Sequence, residues 1–281
     1  MAASKTFPLP HLLYVYPWMP FPRRVIIYLR EKGLQNAVEI VPIDFSTKTA
    51  LLDKHQNYPP KPAGSLPILV LPARDETAPV KIGQSMAILH YLEDMCAAGK
   101  LDHADGNPGG MRGAEDPVGR ARVVEMTTLA EELSATWNPV RMFGTAAGTM
   151  ELPGAAREML RWVKRALTAV ETMLREDREG QAAHQCSALM ATGGAAVNLA
   201  DVVLFQFLEF VDDCYGLDIT VGSGEVVTDV YGRQVEDSFP MLVEFYAEFK
   251  KRDSAKRDEA AGEKPPAQVL AIMTKWADGV L

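Results

Sequence analysis

The first segment with residues suited to chemistry is the loop after the first apolar run of the chain. It reads Tyr-Pro-Trp-Met-Pro-Phe-Pro from Tyr16 to Pro22, and Arg23 and Arg24 follow it. A helix that begins in this loop would offer unpaired backbone N–H groups and partial positive charge to an anion. Taken alone, the same pattern more often indicates a strand-to-helix turn stiffened by prolines.

The second segment is Lys-Pro-Ala-Gly-Ser-Leu-Pro, from Lys61 to Pro67, directly before the apolar run Ile-Leu-Val-Leu. A proline at the start of a strand is often a feature of an edge strand. If the peptide bond between Leu66 and Pro67 is cis, the backbone N–H and C=O of Leu66 turn outward. They can then pair with an extended peptide ligand, as an added strand would.

The third segment is the pair Gln84 and Ser85, at the start of an apolar stripe with helical spacing. Ser85 is typical of a helix N-cap, and capping alone explains a serine there. The same position also places a hydroxyl and backbone N–H groups where they can hold a carboxylate. Gln84 beside it can both donate and accept hydrogen bonds.

The spacing of apolar residues differs between the two halves of the chain, and the first half has short apolar runs. Short apolar runs predict strands over residues 12–16, 38–43, 66–71 and 80–82, with helices over 23–32 and 85–96 and a weaker one over 46–55. Gly33 is expected to end the first helix. This order predicts an α/β domain over residues 10–97, a small sheet covered by helices.

The second half of the chain has the 3.6-residue period of helices. After a linker over 98–116, apolar stripes predict helices over 126–137, 159–174, 200–211, 239–250 and 267–280, an all-helical domain over 117–281. A small, polar stretch over 180–196 is predicted to be a loop, and an insertion near 217–238 has the pattern of a hairpin. The mixed charges of residues 250–263 are typical of a solvated helix end and loop.

The composition argues against several classes of function. Among 281 residues, 29 basic and 37 acidic side chains leave a net charge of −8, so we expect neither nucleic acid nor an anionic membrane as partner. Three scattered cysteines and five histidines without metal-ligand spacing predict no disulfide framework and no metal site. With no long apolar segment and no secretory signal, the protein is expected to be cytoplasmic.

The three segments together, in this order and spacing, resemble the cytosolic glutathione transferases. Members of that family have a thioredoxin-like first domain with a hydroxyl or thiol residue after strand one. A cis proline precedes strand three, and a Glu/Gln-Ser pair begins the next helix. The matching positions here are Met19, Leu66-Pro67 and Gln84-Ser85.

The second half of the chain extends this resemblance. The family's second domain is all-helical and contains a buried Ser/Thr/Asn-x-x-Asp capping box, which Asn198 to Asp201 matches. Such a box satisfies two backbone N–H groups reciprocally and is a folding element rather than a catalytic one. The sequences of these motifs are most similar to those of fungal members of the family. The family also implies a homodimer.

The resemblance implies a glutathione site, with glutathione as cosubstrate or catalytic thiol. Gln84 and Ser85 would hold the amine and carboxylate of the γ-glutamyl group. The backbone of Leu66, set by Pro67, would pair with the cysteinyl group. Ser65 and Lys61 would lie near the glycine carboxylate.

The sequence departs from the family where the thiol is activated, because Met19 replaces the usual Ser, Tyr or Cys. A thioether has no proton to donate to a thiolate. Tyr16 is the first candidate for a substitute donor, and the backbone N–H groups of Phe21 and Arg23 are alternatives. Arg24 is a candidate for lowering the thiol pKa by its charge, but equally suits a solvated or salt-bridged position.

The resemblance places the pocket for the second substrate between the domains. Five residues are candidates for its wall, although a Met or Trp at helical spacing more often belongs to the core. These are Trp18, Phe21, Trp137, Arg141 and Met142. They would suit a large apolar ligand.

Three functions remain open on the sequence alone. The first is addition of glutathione to an electrophilic, large apolar α,β-unsaturated small molecule, as in detoxification. The second is cis–trans isomerisation of an olefin by reversible thiol addition in secondary metabolism, which suits a moderately activated thiol. The third is a regulatory protein that binds glutathione without turnover.

Overall fold

The chain divides into two units, and each unit is made of two separate stretches of the sequence. The computed structural model describes residues 10–71, 79–101, 110–113, 117–144, 150–179 and 196–280, with the main chain alone at 275–280. The first unit joins Met1–Met111 with Arg252–Pro265, and the second joins Arg112–Lys251 with Pro266–Leu281. The predicted loop over 180–196, apart from residue 196, and most of the predicted linker over 98–116 lie outside the described residues. The domain bounds expected from the sequence stay a prediction.

The first unit is built on a four-stranded sheet, as the short apolar runs predict. Its strands are β1 (His11–Val15), β2 (Val38–Pro42), β3 (Ile68–Val70) and β4 (Lys81–Gly83), in the order β2-β1-β3-β4. Strand β1 is parallel to β2 and antiparallel to β3, and β4 is antiparallel to β3. This is a thioredoxin-like sheet, which confirms the predicted fold class of the first half.

Two helices of the first unit, α1 (Pro20–Glu31) and α2 (Ser85–Ala97), are tied together by a buried polar cluster. Glu93 of α2 accepts a hydrogen bond from the Tyr28 hydroxyl at 2.7 Å and pairs with the Lys32 ammonium at 2.9 Å. Its other oxygen accepts the backbone N–H of Met111 at 2.8 Å. The chain leaves α1 through Gly33 at φ +65°, as the sequence predicts.

The helix predicted over residues 46–55 is wrong. The carboxylate of Asp44 accepts the backbone N–H groups of Ser46 at 2.8 Å and Thr47 at 2.7 Å. These bonds turn the chain back on itself, so that the backbone N–H of Asp44 bonds to Thr49 C=O. A single 3-10 turn at Asp53–His55 is the helical structure that forms there.

The prediction that residues 250–263 form a solvated helix end and loop is confirmed for Asp253, Lys256 and residues 258–260, which are exposed, and is wrong for Glu263. Glu263 is buried and pairs with Arg23 of α1 at 2.8 Å, and it also pairs with Arg30. The Arg252 guanidinium donates two hydrogen bonds to the Glu31 carboxylate, at 2.8 and 2.9 Å. Two charged residues of this segment, Arg252 and Glu263, therefore pair with α1, while Lys256 and Asp253 pair locally at the surface.

The second unit is helical apart from one hairpin. Its helices are α3 (Pro117–Gly144), α4 (Pro153–Arg178), α5 (Leu199–Tyr215), α6 (Pro240–Lys250) and α7 (Ala267–Val280), which confirms the five predicted helices. At the start of α5, Asn198 Oδ1 accepts the N–H of Asp201 at 3.1 Å, and Asp201 Oδ2 accepts the N–H of Asn198 at 2.9 Å. The predicted capping box is confirmed.

The predicted insertion forms a hairpin of β5 (Val226–Thr228) and β6 (Gln234–Glu236). At its turn, Asp229 accepts the N–H groups of Tyr231 and Arg233, each at 2.8 Å. Arg161 of α4 donates to the carbonyls of Thr228 at 3.0 Å and Asp229 at 2.6 Å. The hairpin is thus anchored on α4. Across the described helices, none combines the length and apolar character that a membrane span requires.

Candidate functional site

The sheet of the first unit brings the three sequence segments to one end. Tyr14 pairs with Ile68 in the antiparallel register of β1 and β3, and Ile68 pairs with Gly83 in that of β3 and β4. Tyr16 follows Tyr14 by two residues, Leu66 precedes Ile68 by two, and Gln84 follows Gly83. Antiparallel pairing therefore places Tyr16, Leu66 and Gln84 at the same end of the sheet, where α1 and α2 also begin.

The peptide bond between Leu66 and Pro67 is cis, as the resemblance implies. Within the described part of the chain, neither the N–H nor the C=O of Leu66 makes a hydrogen bond. Leu66 is half-buried and Ser65 is exposed. Leu66 therefore presents a free donor and a free acceptor, the pair that an extended peptide needs.

Lys61 lies in the same loop but its ammonium is already engaged. It donates to the carbonyls of Pro62 at 2.8 Å and Gly64 at 2.9 Å. These bonds hold the ammonium against the loop that carries Ser65 and Leu66. A carboxylate that reaches this loop would meet a positive charge on a flexible stem.

The start of α2 differs from the N-cap predicted for Ser85. Ser85 is the first helical residue, and Gln84 is the N-cap without a side-chain capping bond. Only 4% of Ser85 is exposed, yet its hydroxyl bonds to no described residue. Capping therefore does not explain the serine, and its hydroxyl and the first backbone N–H groups of α2 are free to bind an anion.

Gln84 has an unusual backbone, with φ +65° and ψ 122°. For a residue with a side chain such a positive φ costs about 1–3 kcal/mol, and strain of this kind concentrates at functional sites. Its side chain is exposed and makes no hydrogen bond within the described residues. The conformation therefore presents an amide at the end of the sheet, beside the start of α2.

The start of α1 offers far less to an anion. Met19 is its N-cap, and Pro20 and Pro22 supply no N–H in the first turn. The N–H of Arg23, one of the predicted donors, bonds to Met19 C=O at 3.0 Å and is not available. The N–H of Phe21 remains the free donor of this turn among the described residues.

Two tyrosines near this turn have different environments. The Tyr14 hydroxyl donates to Pro59 C=O at 2.7 Å, and burial raises the pKa of Tyr14. Tyr16 is half-buried, and its hydroxyl has no hydrogen-bond partner in the described parts of the chain. Of the two, Tyr16 is the hydroxyl with a proton to offer a ligand.

Sequence reasoning missed two side chains that surround Tyr16. The centres of the Phe45 and Tyr16 rings lie 5.3 Å apart in an edge-to-face arrangement. The Lys48 ammonium lies 5.3 Å from the Tyr16 ring centre and 4.2 Å from that of Phe45. The Asp44 turn holds both, and hydrogen bonds from Ser46 and Thr47 lower the pKa of Asp44 to about 2. The sequence Asp-x-Ser-Thr at residues 44–47 is typical of a turn and could have predicted this loop.

Arg24 is fully buried, so the alternative of a solvated arginine is wrong. Its guanidinium lies 5.0 Å from the centre of the Phe21 ring, and burial lowers its pKa to about 9. A charge in this position acts on a bound thiol through its field rather than by contact. The proposed influence of Arg24 on the thiol stays a prediction.

The predicted wall of the acceptor pocket falls in both units. In the first, Trp18 is buried with its ring 5.9 Å from Phe45, and Phe21 is half-buried. In the second, Trp137 is 2% exposed and meets Phe207 at 6.2 Å and Tyr215 at 5.2 Å. Core packing thus accounts for Trp137.

The remaining two candidates for that wall lie near the end of α3, where Arg141 is half-buried and Met142 is exposed. An acceptor pocket formed by the five residues remains a prediction. Among the described residues, no group of three or more His, Cys, Asp or Glu side chains could hold a metal ion.

Comparison with known proteins finds a family match in the first unit. Residues 18–95 match the family model of the glutathione S-transferase N-terminal domain, a range that includes Met19, Leu66 and Ser85. Among curated proteins, no sequence is significantly similar to this chain.

Solved structures resemble the chain over most of its length. A glutathione S-transferase from Methylobacillus flagellatus with bound glutathione is 20% identical, with a TM-score of 0.56 over 87% of this chain and 96% of that one. A glutathione transferase homologue from Lodderomyces elongisporus, with two glutathione molecules per subunit, is 18% identical, with a TM-score of 0.58 over 92% and 100%. Ure2p in complex with glutathione is 17% identical, with a TM-score of 0.58 over 89% and 98%.

The sheet, the cis proline, the capping box and these comparisons agree with one another. Residues 18–95 match the model of the glutathione S-transferase N-terminal domain, and the described chain has the fold of solved glutathione transferase structures.

Proposed function

We propose that this protein binds glutathione at the end of its sheet and adds the thiol to an electrophilic, large and apolar α,β-unsaturated small molecule. The observation that carries the proposal is the row of unpaired polar groups at Leu66, Gln84, Ser85 and the first turn of α2. Buried or half-buried polar groups without partners are rare in folded proteins, and a row of them indicates a ligand.

Each group in the row suits one part of the tripeptide. The Ser85 hydroxyl and the first N–H groups of α2 donate to the γ-glutamyl carboxylate, and the Gln84 amide oxygen accepts from the ammonium. The N–H and C=O of Leu66 pair with the cysteinyl residue, as between two strands. Ser65 and the Lys61 ammonium lie in the loop nearest the glycine carboxylate.

The chemistry begins from the thiolate. The Tyr16 hydroxyl and the Phe21 N–H donate hydrogen bonds to the sulfur, which favours its ionised form. The thiolate attacks the β-carbon and forms a carbon–sulfur bond, while the π electrons of the double bond move to the carbonyl oxygen. A proton from water then completes the saturated adduct.

A second function is favoured by Met19. Because a methionine donates no proton, we expect the thiol to be only moderately activated. Thiol addition to an α,β-unsaturated carbonyl compound is reversible, so the thiolate can also leave. Addition, rotation about the new single bond and elimination would convert a cis olefin to its trans isomer and return glutathione. Binding without turnover, a regulatory role, is the third outcome that Met19 permits.

The test measures glutathione binding and glutathione consumption on the purified full chain. Calorimetry is expected to show one saturable site; absence of heat overturns the proposal. With a conjugated cis-enone, loss of one thiol per product identifies a transferase, and a trans product without thiol loss identifies an isomerase. Binding without turnover across a panel of electrophiles favours a regulatory protein.

We also propose a homodimer that works in the cytoplasm, which the family resemblance supports. Sedimentation equilibrium of the purified chain would show a mass of twice 30.8 kDa if this is correct. A monomer at micromolar concentration would contradict it.

A further inference from the structure

Lys48 is one of two residues other than glycine that have a positive φ in the described part of the chain. Its φ is +62°, and that of Gln84 is +65°. This region is disfavoured for a residue with a long side chain, because Cβ approaches the following carbonyl oxygen. Such conformations persist where the surrounding structure enforces them, and they cluster at functional sites. Gln84 belongs to the glutathione site proposed above, so Lys48 raises the question of its own function.

The backbone of the turn that carries Lys48 is closed by hydrogen bonds. The N–H of Asp44 bonds to Thr49 C=O at 2.8 Å, and the N–H of Lys48 bonds to Asp44 C=O at 3.0 Å. Ile43 and Ala50 form an antiparallel bridge just outside these bonds. The backbone of Lys48 is therefore fixed, while its side chain is long and exposed.

The charge of Lys48 has no acidic partner among the described residues. The acid of this turn, Asp44, is occupied, because its Oδ1 accepts the backbone N–H and the hydroxyl of both Ser46 and Thr47 at 2.6–3.1 Å. The Lys48 ammonium instead donates to the carbonyl of Phe45. An ammonium has three protons to donate, so two of them are available to a ligand.

The ammonium lies beside the ring whose hydroxyl is proposed to contact the sulfur of glutathione. It is 5.3 Å from the centre of the Tyr16 ring and 4.2 Å from that of the Phe45 ring. Phe45 is 45% exposed, and its ring centre lies 5.9 Å from that of Trp18. Within the first unit alone, the turn thus places a cation and an exposed aromatic face next to Tyr16.

Addition of a thiolate to an α,β-unsaturated carbonyl compound moves negative charge onto an oxygen. The sulfur forms a bond to the β-carbon, the π pair of the olefin shifts to join the α-carbon to the carbonyl carbon, and the π pair of the carbonyl becomes a lone pair on oxygen. A donor aimed at the oxygen of this enolate lowers the barrier. In the proposed reaction the donors of Tyr16 and Phe21 serve the sulfur, which leaves the oxygen without one.

We propose that Lys48 is a catalytic residue of this reaction, whose ammonium donates a hydrogen bond to the carbonyl oxygen of the acceptor and stabilises the enolate. The apolar body of the acceptor packs on the exposed face of Phe45. In the transferase, a proton from water then reaches the α-carbon and replaces the one that glutathione lost to water. In the isomerase, the enolate expels the thiolate after rotation about the former double bond. Lys48 stays protonated in both, and the inference rests on the function proposed above.

The main test compares two reactions of the full chain. Addition to benzylideneacetone forms an enolate, whereas attack on chlorodinitrobenzene places the charge on the ring and its nitro groups. Lys48→Asn removes the ammonium but tolerates a positive φ. It is expected to lower kcat/KM for the enone about tenfold or more and to leave kcat/KM for the aryl halide unchanged.

Two further variants control for charge and for the loop. Lys48→Arg keeps a positive charge and should retain most of the enone activity. Lys54→Gln removes an exposed lysine from the same connection between β2 and β3, where Lys54 pairs with Glu39 at 2.9 Å. Both of its rates should equal those of the native chain. Circular dichroism and glutathione calorimetry verify that each variant is folded and binds glutathione.

Two other measurements detect the contact with oxygen itself. Electron-withdrawing substituents on the enone should accelerate Lys48→Asn more than the native chain, because the variant depends on them to stabilise the enolate. Stable conjugates give a readout without turnover. Lys48→Asn should weaken binding of the glutathione adduct of methyl vinyl ketone about threefold, and should leave binding of S-butylglutathione, which has no carbonyl on its added group, unchanged.

The inference is overturned if the native chain and Lys48→Asn have equal kcat/KM for the enone, or if the enone and the aryl halide lose the same factor. Lack of any enone turnover by the native chain also overturns it. If calorimetry detects no glutathione binding to the native chain, the proposed function fails as well. Normal glutathione binding with an unchanged enone rate in Lys48→Asn refutes the role of Lys48 alone.

Discussion

Two helices, α1 and α2, begin at the same end of the sheet, and their first turns differ in the hydrogen-bond donors that they leave free. Helix α2 begins with a serine whose hydroxyl is free and with backbone N–H groups that no described residue uses. Helix α1 begins after a methionine, and its two prolines remove N–H donors. In the glutathione site proposed above, holding the carboxylate and activating the thiol are separate tasks that belong to separate turns.

The magnitudes support this separation. A hydrogen bond to a charged group contributes about 1.5–3 kcal/mol, and α2 with Gln84 supplies several such groups. One pKa unit of thiol activation corresponds to about 1.4 kcal/mol, and the start of α1 offers one N–H and the nearby Tyr16 hydroxyl. We therefore expect firm binding of glutathione with slow reaction of its thiol.

The largest expected effect tests the α2 side of the comparison. Ser85→Ala should weaken glutathione binding about 10- to 100-fold, because the carboxylate loses a hydrogen bond from a hydroxyl. Gln84→Ala should weaken it in the same direction. Isothermal titration calorimetry measures both dissociation constants.

Thr128→Ala is the control for this pair, since the exposed Thr128 hydroxyl of α3 bonds to its own helix at 2.8 Å. Its affinity for glutathione should equal that of the native chain. If Ser85→Ala also leaves the affinity unchanged, the α2 turn is not the carboxylate site.

A middle-sized effect is expected from restoring a proton donor on the α1 side. Met19→Ser should raise turnover with an aryl halide about tenfold, the gain expected from roughly one unit of thiol pKa. The rate of conjugate formation at fixed glutathione measures it. Met150→Ser, an exposed methionine of the second unit, should leave the rate unchanged; no gain from Met19→Ser would show that another group already activates the thiol.

The smallest effect distinguishes the two tyrosines. Tyr16→Phe should lower turnover a few-fold without changing stability, since its hydroxyl bonds to no described residue. Tyr14→Phe should instead lower the free energy of unfolding by about 1 kcal/mol, because it deletes the bond to Pro59. Urea denaturation and steady-state rates on the two variants measure this contrast, and equal rates for Tyr16→Phe and the native chain would exclude Tyr16 as the donor.

Much of the architecture could be predicted from local patterns. The four strands, the long helices, the Asn198–Asp201 capping box and the 217–238 hairpin follow from hydrophobic period, turn residues and capping chemistry, which operate within a few residues. The two failures have different causes. The Asp44 turn is a local signal that the apolar pattern concealed, whereas the pairing of Glu263 with Arg23 joins residues 240 positions apart in the sequence.

By itself, the sequence determined the chemistry available at each position: prolines without N–H groups, a methionine without a proton, a serine before a helix and the period of each element. Only the tertiary structure decided which of those groups remain unpaired. Pro59 engages Tyr14 but leaves Tyr16, and Met19 engages the N–H of Arg23 but leaves that of Phe21. The physical reason is that a donor is free only when no acceptor from the rest of the fold reaches it, and that depends on contacts between distant parts of the chain.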